Sequence, residues 1–216
     1  MKRITFIAGH YGSGKSEFSL NLAIQKKVSM LVDLDIVNPY FRSRELETLL
    51  NENHVRMISS TLKKALGSDL PFISSQAFVP FTNPQITAIL DLGGDGVGAK
   101  LMHQFSDFLT KEETDLLLCI NVFREETENE LKIMKMINQI EGSCGYKVTG
   151  LINNSNFLRE TVFEDVLKGQ MIIQEVSKKT NLPIIYTGIY DQVIHQPSLL
   201  LGEIILLKLY LRKNWL

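Results

Sequence analysis

Cysteine, tryptophan and proline are scarce in this chain, whose 216 residues include two cysteines, one tryptophan and six prolines. Two cysteines are too few for the disulfide framework of a small secreted protein. His54, His103 and His195 make no ligand spacing with a cysteine or with each other, which argues against a cysteine–histidine metal cluster. Cys119 lies in the apolar run Leu116–Ile120 and Cys144 in a glycine-rich segment, so we expect two free thiols. The first apolar run also leaves no room for a secretory signal. The sequence therefore predicts a cytoplasmic protein.

The chain also lacks an excess of charge of either sign and a proline-rich or low-complexity linker. Its formal net charge is −1 and its pI is about 6.4. We therefore see no electrostatic reason for a nucleic-acid partner. With 44% hydrophobic residues and no dividing linker, the chain can form one substantial core. We expect a single domain over residues 1–216.

No uninterrupted apolar run is long enough to span a bilayer. The longest apolar stretch, residues 198–216, is interrupted by Glu203 and Lys208. We expect this stretch to form a closing helix, Leu199–Lys213, that packs on a sheet. The alternative is binding to a membrane surface through basic residues beside an aromatic one, namely Arg212, Lys213 and Trp215. The composition favours the first interpretation and argues against membrane contact.

Seven short apolar runs alternate with segments of helical periodicity. Each run is hydrophobic throughout, which is typical of parallel strands covered by helices on both faces. The predicted strands are Thr5–Ala8, Met30–Asp33, Val55–Ile58, Ile86–Leu92, Leu116–Val122, Val148–Ile152 and Ile184–Thr187. The other predicted helices are Ser16–Lys26, Arg42–Asn51, Val97–Leu109, Glu126–Ile140 and Glu160–Thr180. We therefore expect an α/β fold with a doubly wound, mainly parallel seven-stranded sheet, in which ligands bind at the carboxyl ends of the strands.

A glycine-rich loop follows the first predicted strand. Its sequence, Gly9-His-Tyr-Gly-Ser-Gly-Lys15-Ser16, fits the phosphate-binding pattern G-x-x-x-x-G-K-[ST] at every specified position. Gly9, Gly12 and Gly14 permit positive φ and let backbone N–H groups approach phosphate oxygens at the start of the next helix. Lys15 would reach the β and γ phosphates, and the Ser16 hydroxyl would bind Mg²⁺. The alternative is a glycine-rich turn in an unrelated sheet protein.

Acidic residues end two further predicted strands. The first strand end reads Leu31-Val-Asp33-Leu-Asp35, and the second reads Ala88-Ile-Leu-Asp91-Leu-Gly93-Gly94-Asp95. An acid here can hold the water shell of Mg²⁺ opposite Ser16, and a following glycine lets a backbone N–H turn toward the γ-phosphate. The alternative is that these acids cap the loops after buried strands.

In these three segments the chain resembles the SIMIBI branch of P-loop NTPases, in particular the MinD/ParA-type ATPases with a CobQ/CobB-like nucleotide-binding domain. It is also similar to a subgroup of small bacterial ATP-binding proteins with a G-H-x-G-S-G-K-[ST]-E loop and a D-x-D-x-V-N-P-Y-F-R-S-R-E segment, here Asp33–Glu45. The resemblance implies a P-loop NTPase fold with ATP and Mg²⁺ as cofactors. It implies that Asp33 helps to hold Mg²⁺ through water, that Asp35 positions or deprotonates the attacking water, and that Asp91 is the Walker B acid and a metal residue.

The resemblance also implies a set of nucleotide-binding residues. In the loop they are Gly9, His10, Gly12, Ser13, Gly14, Lys15, Ser16 and Glu17. At the base they are Asn153 or Asn154, whose amide offers a donor and an acceptor to adenine, and the backbone around Gly188. The guanine-reading pattern N-K-x-D is absent, because Ser155 and Asn156 follow Asn154. The alternative for either Asn is an ordinary turn residue.

One position departs from the MinD/ParA pattern. The signature lysine of those proteins, which reaches the phosphates of a partner subunit, is replaced here by His10. Arg42 and Arg44 could supply the missing charge as an arginine finger would, or they could lie on a solvated helix face. The segment Asn38-Pro39-Tyr40-Phe41 could cover the nucleotide or simply lead into a helix.

Three functions remain open from the sequence. The leading one is an ATPase switch that acts through a homodimer or an unidentified protein partner. The second is a phosphoryl transferase or ligase that activates a small acceptor, similar to dethiobiotin synthetase or CobQ/CobB. Its candidate anion-binding residues are Arg42, Arg44 and Lys100. The third is an ATP-binding module with negligible turnover, which the replacement of the signature lysine favours.

Overall fold

The computed structural model describes residues 1–35, 44–59, 73–94 and 100–211, without the side chain of Arg44. Eight strands form its centre: β1 Ile4–Ala8, β2 Met30–Leu34, β3 Arg56–Ser59, β4 Ala88–Leu92, β5 Thr114–Ile120, β6 Gly150–Asn153, β7 Ile184–Tyr190 and β8 Glu203–Leu207. They form one sheet in the order β3-β2-β4-β1-β5-β6-β7-β8, and every neighbouring pair is parallel. The predicted α/β parallel fold is confirmed.

The α-helices of the described residues connect these strands. They are α1 Lys15–Gln25, α2 Arg44–Glu52, α3 Val79–Thr82, α4 Glu130–Cys144 and α5 Phe163–Thr180. Short 3-10 helices occupy Ser75–Phe78, Met102–Phe108, Glu125–Thr127, Leu158–Glu160, Asp191–Val193 and Pro197–Leu199. Four predicted helices are confirmed with shifted ends, and the described part of the predicted helix Val97–Leu109 contains a 3-10 helix. No helix in the described ranges is long and apolar enough to cross a membrane.

The sheet separates two hydrophobic clusters, because successive strand residues point to opposite faces. On β1, Phe6 and Ala8 enter one cluster and Ile7 enters the other. The first cluster includes Ile133 of α4, and the second includes Phe18 of α1. Continuous apolar strands are therefore buried on both faces, as their sequence predicts.

The predicted helix Leu199–Lys213 is wrong in its described part, which contains the strand β8. Gly202 turns the chain with φ +75°, in the left-handed region that favours glycine. After it, Ile205 and Leu207 are buried while Leu206 is exposed, which is the period-two pattern of a strand. The sheet consequently has eight strands, not seven. The proposed surface anchor of Arg212, Lys213 and Trp215 lies outside the described residues.

The strand order brings the predicted site residues together. β4 lies between β2 and β1, so the carboxyl ends of these three strands are adjacent. Asp91 on β4 is in register with Asp33 on β2 and with Ile7 on β1, two residues before Gly9. The loop after β1 and the acids of β2 and β4 therefore meet at one edge of the sheet.

Candidate functional site

The loop between β1 and α1 has a geometry that requires its glycines. Gly12 and Gly14 have φ values of +82° and +80°, which side chains with a Cβ rarely adopt. A Cβ on Gly9 would lie 2.6 Å from the carbonyl oxygen of Cys119, and one on Gly14 would lie 2.5 Å from Nδ2 of Asn154. The loop is thus fitted closely against the carboxyl ends of β5 and β6.

The start of α1 presents the features of an anion site. Gly14 is the N-cap, and Lys15, Ser16 and Glu17 form the first helical turn. The first backbone N–H groups of a helix have no partner within it, and the helix dipole places partial positive charge there. A phosphate group can accept hydrogen bonds from such N–H groups without further rearrangement of the helix.

Lys15 forms a buried ion pair with the first acidic strand end. Its Nζ lies 3.0 Å from Oδ2 of Asp35, and the two side chains are 8% and 5% exposed. Burial acts to lower the pKa of Lys15, but the carboxylates of Asp91 and Asp35 outweigh it and raise the pKa above its usual value. Lys15 therefore remains an ammonium group.

Asp91 is completely buried beside this pair. The Ser19 hydroxyl donates to its Oδ1 at 3.3 Å, whereas its Oδ2 has no hydrogen-bond partner among the described residues. Burial raises the pKa of Asp91, although Lys15 and the Ser16 hydroxyl act in the opposite direction. An unpaired buried carboxylate oxygen is costly and is the kind of atom that a metal-bound water can satisfy.

Asp33 completes the group of acids. Its Oδ1 accepts the backbone N–H of Asp35 at 2.9 Å. Burial, together with the charge of Asp91, raises the pKa of Asp33 to about 8. Three carboxyl groups thus face one ammonium group at a buried site, and a divalent cation would balance them.

The donor set fits Mg²⁺ held partly by a ligand. No group of three or more histidine, cysteine or acidic side chains in the described ranges is arranged to hold a metal by itself. Mg²⁺ in nucleotide sites usually keeps several waters and binds one or two protein groups plus phosphate oxygens. The Ser16 hydroxyl and the waters next to Asp33 and Asp91 could complete such a shell.

An open cavity of about 620 Å³, including the solvent at its mouth, adjoins the loop. Its polar lining comes from the loop, Asp35 and the β6 end, and its apolar lining is Phe18, Leu158, Tyr190, Leu207 and Leu211. A cavity of this size and mixed lining suits a small-molecule ligand. The polar part includes the glycine-rich loop, and the apolar part offers surface against which a planar ring could pack.

The two candidate base-reading asparagines have different environments. Asn154 lines the cavity and donates from Nδ2 to the carbonyl of Ser13 at 2.7 Å, while its buried Oδ1 has no hydrogen-bond partner among the described residues. A Cβ on Gly188 would lie 2.7 Å from this Oδ1. Asn153 instead donates to the carbonyl of Val166 at 3.0 Å and does not line the cavity. Asn154 and Gly188 therefore meet at the site, and Asn153 holds α5.

His10 and Glu17 of the loop contact protein groups. His10 Nδ1 lies 2.9 Å from the Tyr11 carbonyl oxygen and 3.4 Å from Oε2 of Glu126. Glu17 lines the cavity, and its carboxylate accepts the backbone N–H groups of Tyr210 at 2.6 Å and of Leu211 at 3.2 Å. Glu17 therefore links the cavity to the segment after β8 by hydrogen bonds.

Sequence reasoning missed one cation at the loop. Arg124, half-buried after β5, donates from Nε to the carbonyl oxygen of Gly12 at 3.0 Å. The only available signal was its position after a strand whose carboxyl end borders the loop. Of the predicted anion-binding residues, Lys100 is exposed. Arg42, the segment Asn38–Phe41 and the side chain of Arg44 lie outside the described residues.

The comparisons with known proteins identify the fold. No family model matches the chain, and no curated protein matches it. Solved structures do. The cell division protein FtsY from Thermotoga maritima has a TM-score of 0.56 at 16% identity, with 86% of this chain and 61% of that chain covered. Chloroplast FtsY from Physcomitrella patens has a TM-score of 0.59 at 17% identity, with 88% and 59% covered.

A third structure is the signal recognition particle receptor FtsY from Elizabethkingia anophelis in complex with GDP. Its TM-score is 0.52 at 19% identity, with 88% of this chain and 58% of that chain covered. The chain thus spans about three fifths of the length of these proteins. At such identities the likeness shows the fold alone, an α/β fold of the P-loop NTPase type with a parallel sheet. It does not support the MinD/ParA subgroup in particular.

Proposed function

We propose that this protein binds Mg·ATP, hydrolyses it, and acts as a nucleotide-controlled switch. The observation that carries the proposal is the buried ion pair between Lys15 of the loop and Asp35 at the end of β2. The phosphates of a nucleotide would compete with Asp35 for the Lys15 ammonium group. Nucleotide binding would therefore release Asp35 from Lys15.

Each acid has a role in this proposal. Asp35, once released from Lys15, positions or deprotonates the attacking water, which makes it the candidate general base. Asp33 and Asp91 orient the waters around the cation, and Ser16 contributes its hydroxyl. Mg²⁺ would neutralise the charge that develops on the β and γ phosphates. Lys15 would stabilise the same charge from the protein side.

The base end of the cavity supports ATP over GTP. Asn156 stands where the guanine-reading pattern has aspartate, and its amide is already used: Nδ2 donates to the Asn154 carbonyl at 2.7 Å, and Oδ1 accepts the Leu158 N–H at 3.1 Å. Guanine therefore meets no carboxylate there. The amide of Asn154, which lines the cavity, would read adenine, and its Oδ1, now buried against Gly188, would turn toward the cavity to accept a hydrogen bond from the adenine amino group. One FtsY structure is in complex with GDP, so GTP is the nucleotide to compare.

A second protein surface would recognise the nucleotide-bound form of the switch. Tyr11, in the loop and 60% exposed, lies at the cavity, where a second subunit or a different protein would contact the nucleotide-bound form. With His10 in place of the signature lysine, a partner lysine at that position cannot contribute. The near-neutral net charge argues against a nucleic-acid partner, and we place the protein in the cytoplasm.

The test is the rate of Mg²⁺-dependent ATP hydrolysis per molecule as a function of protein concentration, with GTP measured in parallel. We expect a rate that rises with concentration for ATP and that disappears in Lys15→Ala, which removes the phosphate contact. A flat rate near zero at all concentrations, with intact Mg·ATP binding, would reduce the function to nucleotide binding alone. Absence of Mg·ATP binding in calorimetry would overturn the proposal.

A further inference from the structure

The helix α1 carries three polar side chains that pair with the outer edge of β8. Glu17, Asn21 and Gln25 are four residues apart, so they lie on one face of the helix. Gln25 donates from Nε2 to the carbonyl oxygen of Leu206 at 2.7 Å, and its Oε1 accepts the Leu206 N–H at 3.2 Å. One side chain thus satisfies both backbone groups of an edge-strand residue.

The other two side chains repeat this pattern toward the loop. Asn21 donates from Nδ2 to the carbonyl oxygen of Lys208 at 2.9 Å and accepts its N–H at 2.9 Å. Glu17 accepts the N–H groups of Tyr210 and Leu211 at 2.6 and 3.2 Å. The three side chains therefore contact every second residue of the segment as the helix runs back toward its first turn.

Helix and strand spacings explain why the pairing continues over three contacts. Four helical residues advance about 6 Å along the axis, and two strand residues advance about 6.6 Å. Each helical turn consequently meets the next outward-facing backbone pair of the strand. β8 is the last strand of the sheet order, and α1 covers its edge in the way that a further strand would.

The last of these contacts lies at the cavity. Glu17 follows Lys15 by two residues, and its carboxylate is almost completely buried, so hydrogen-bond donors are needed to compensate its desolvation. The donors include the N–H groups of the segment whose Leu207 and Leu211 side chains line the cavity with Phe18. The apolar wall and the phosphate loop are thereby tied to the same helical turn.

We propose that Glu17 is a positioning residue that holds Leu211 beside Leu207, and so completes the wall against which the base of the nucleotide packs. The inference rests on the proposed nucleotide binding and assigns the acid after the loop a role that does not involve phosphate or metal. A ligand with phosphates but no base should not need this wall. Affinity for the base and affinity for the phosphates should therefore respond differently to changes at Glu17.

The test compares Mg·ATP with Mg·tripolyphosphate by isothermal titration calorimetry. In Glu17→Ala we expect the affinity for Mg·ATP to fall about tenfold, the size of effect that follows from losing hydrogen bonds to a charged group. The affinity for tripolyphosphate should stay within about twofold. Glu17→Gln should retain most of the Mg·ATP affinity, because its Oε1 still accepts an N–H. Gln25→Ala, which disturbs the same edge away from the cavity, is the matched control and should leave both affinities unchanged.

Two further measurements distinguish a local effect of Glu17→Ala on the cavity wall from a general folding defect. Leu211→Ala truncates the wall itself and should reproduce the selective loss of Mg·ATP affinity. Hydrogen exchange at the amides of Tyr210 and Leu211 should be faster in Glu17→Ala than in the wild type. Equal losses for both ligands, or no loss for either, would overturn the inference. A wild-type protein that binds tripolyphosphate but gains nothing from the base would also overturn it, whereas one that binds neither ligand would overturn the proposed function.

Discussion

The ammonium group of Lys15 lies 3.0 Å from Oδ2 of Asp35, and neither side chain is accessible to more than a trace of solvent. The pair joins the loop after β1 to the end of β2, two segments that are not neighbours in the sheet, since β4 lies between these strands. Asp91 on β4 is close enough to raise the pKa of Lys15. The site is therefore built around one cation that three strand ends share.

Removing one partner of this pair should destabilise the nucleotide-free protein. Lys15→Ala leaves Asp35 buried without its cation, and we expect the free energy of unfolding to fall by about 3 kcal/mol, as for other broken buried pairs. The combined variant Lys15→Met with Asp35→Leu should lose less than the sum of the two single changes, because the charge of Asp35 is removed together with that of Lys15 and only Asp33 and Asp91 lose their cation. Urea denaturation at neutral pH measures both.

The matched control for this prediction is Lys147→Ala. Lys147 also pairs with an acid, Glu141, but its side chain is 85% exposed. Exposed pairs contribute little, so the free energy of unfolding should change by less than about 0.5 kcal/mol. A Lys15→Ala protein as stable as the wild type would show that the buried pair does not hold the two segments together.

The preference for ATP over GTP should depend on the residue at position 156. We expect the wild type to bind Mg·ATP about tenfold more tightly than Mg·GTP, the worth of one good hydrogen bond. Asn156→Asp would place a carboxylate where guanine offers N–H donors and should narrow this ratio or reverse it. Asn138→Asp makes the same chemical change on the exposed face of α4 and should leave the ratio unchanged. Tighter binding of GTP than of ATP by the wild type would contradict the assignment of Asn154 as an adenine-reading residue.

Local patterns were sufficient to predict the first seven strands along the chain and the glycine-rich turn between β1 and α1. The loop motif specifies its own geometry, and continuous apolar runs such as Ile4–Ala8 fit only strands covered on both faces. The meeting of Asp33, Asp35 and Asp91 also follows from sequence, since parallel strands end at one edge. Fold class and the outline of the site are therefore readable without coordinates.

Non-local contacts determine the structural features that were not predicted from the sequence, namely the strand β8 and the positions of Asn154 and Arg124. Residues 199–213 have a composition that suits a helix or a strand, and the decisive partners are Asn21 and Gln25 of α1, which satisfy the outer edge of β8. Asn153 and Asn154 are adjacent, and only the position of the β6 end against the loop places Asn154 at the cavity. Arg124 belongs to no motif, so its contact with Gly12 depends on the packed fold.

Both thiols should be unreactive in the native protein. Burial raises the pKa of Cys119 to about 12, and burial also raises the pKa of Cys144. Because the thiolate is the reactive form, a raised pKa keeps the thiol protonated, and Cys119 should gain reactivity only as pH approaches 12. We expect no reaction with Ellman's reagent at pH 8 in buffer and two reactive thiols per chain in guanidinium. Rapid labelling of Cys119 in the folded protein would indicate an open loop, since its Sγ lies 3.7 Å from the Ser13 carbonyl oxygen.

Two glycine-to-alanine changes should have opposite effects on stability. At Gly14 the new Cβ would lie 2.5 Å from Nδ2 of Asn154, and the backbone φ is +80°. Gly14→Ala must therefore distort the loop. We expect it to abolish Mg·ATP binding and to lower the free energy of unfolding by about 2 kcal/mol. At Gly142, inside α4, a Cβ meets no atom within 4 Å. Gly142→Ala should therefore raise the free energy of unfolding by about 0.5–1 kcal/mol and leave nucleotide binding intact, because alanine restricts the unfolded chain and favours the helix. Thermal denaturation measures the stability of each variant, and calorimetry measures its affinity for Mg·ATP. A Gly14→Ala protein that binds Mg·ATP with wild-type affinity would show that the loop does not need the close approach to Asn154.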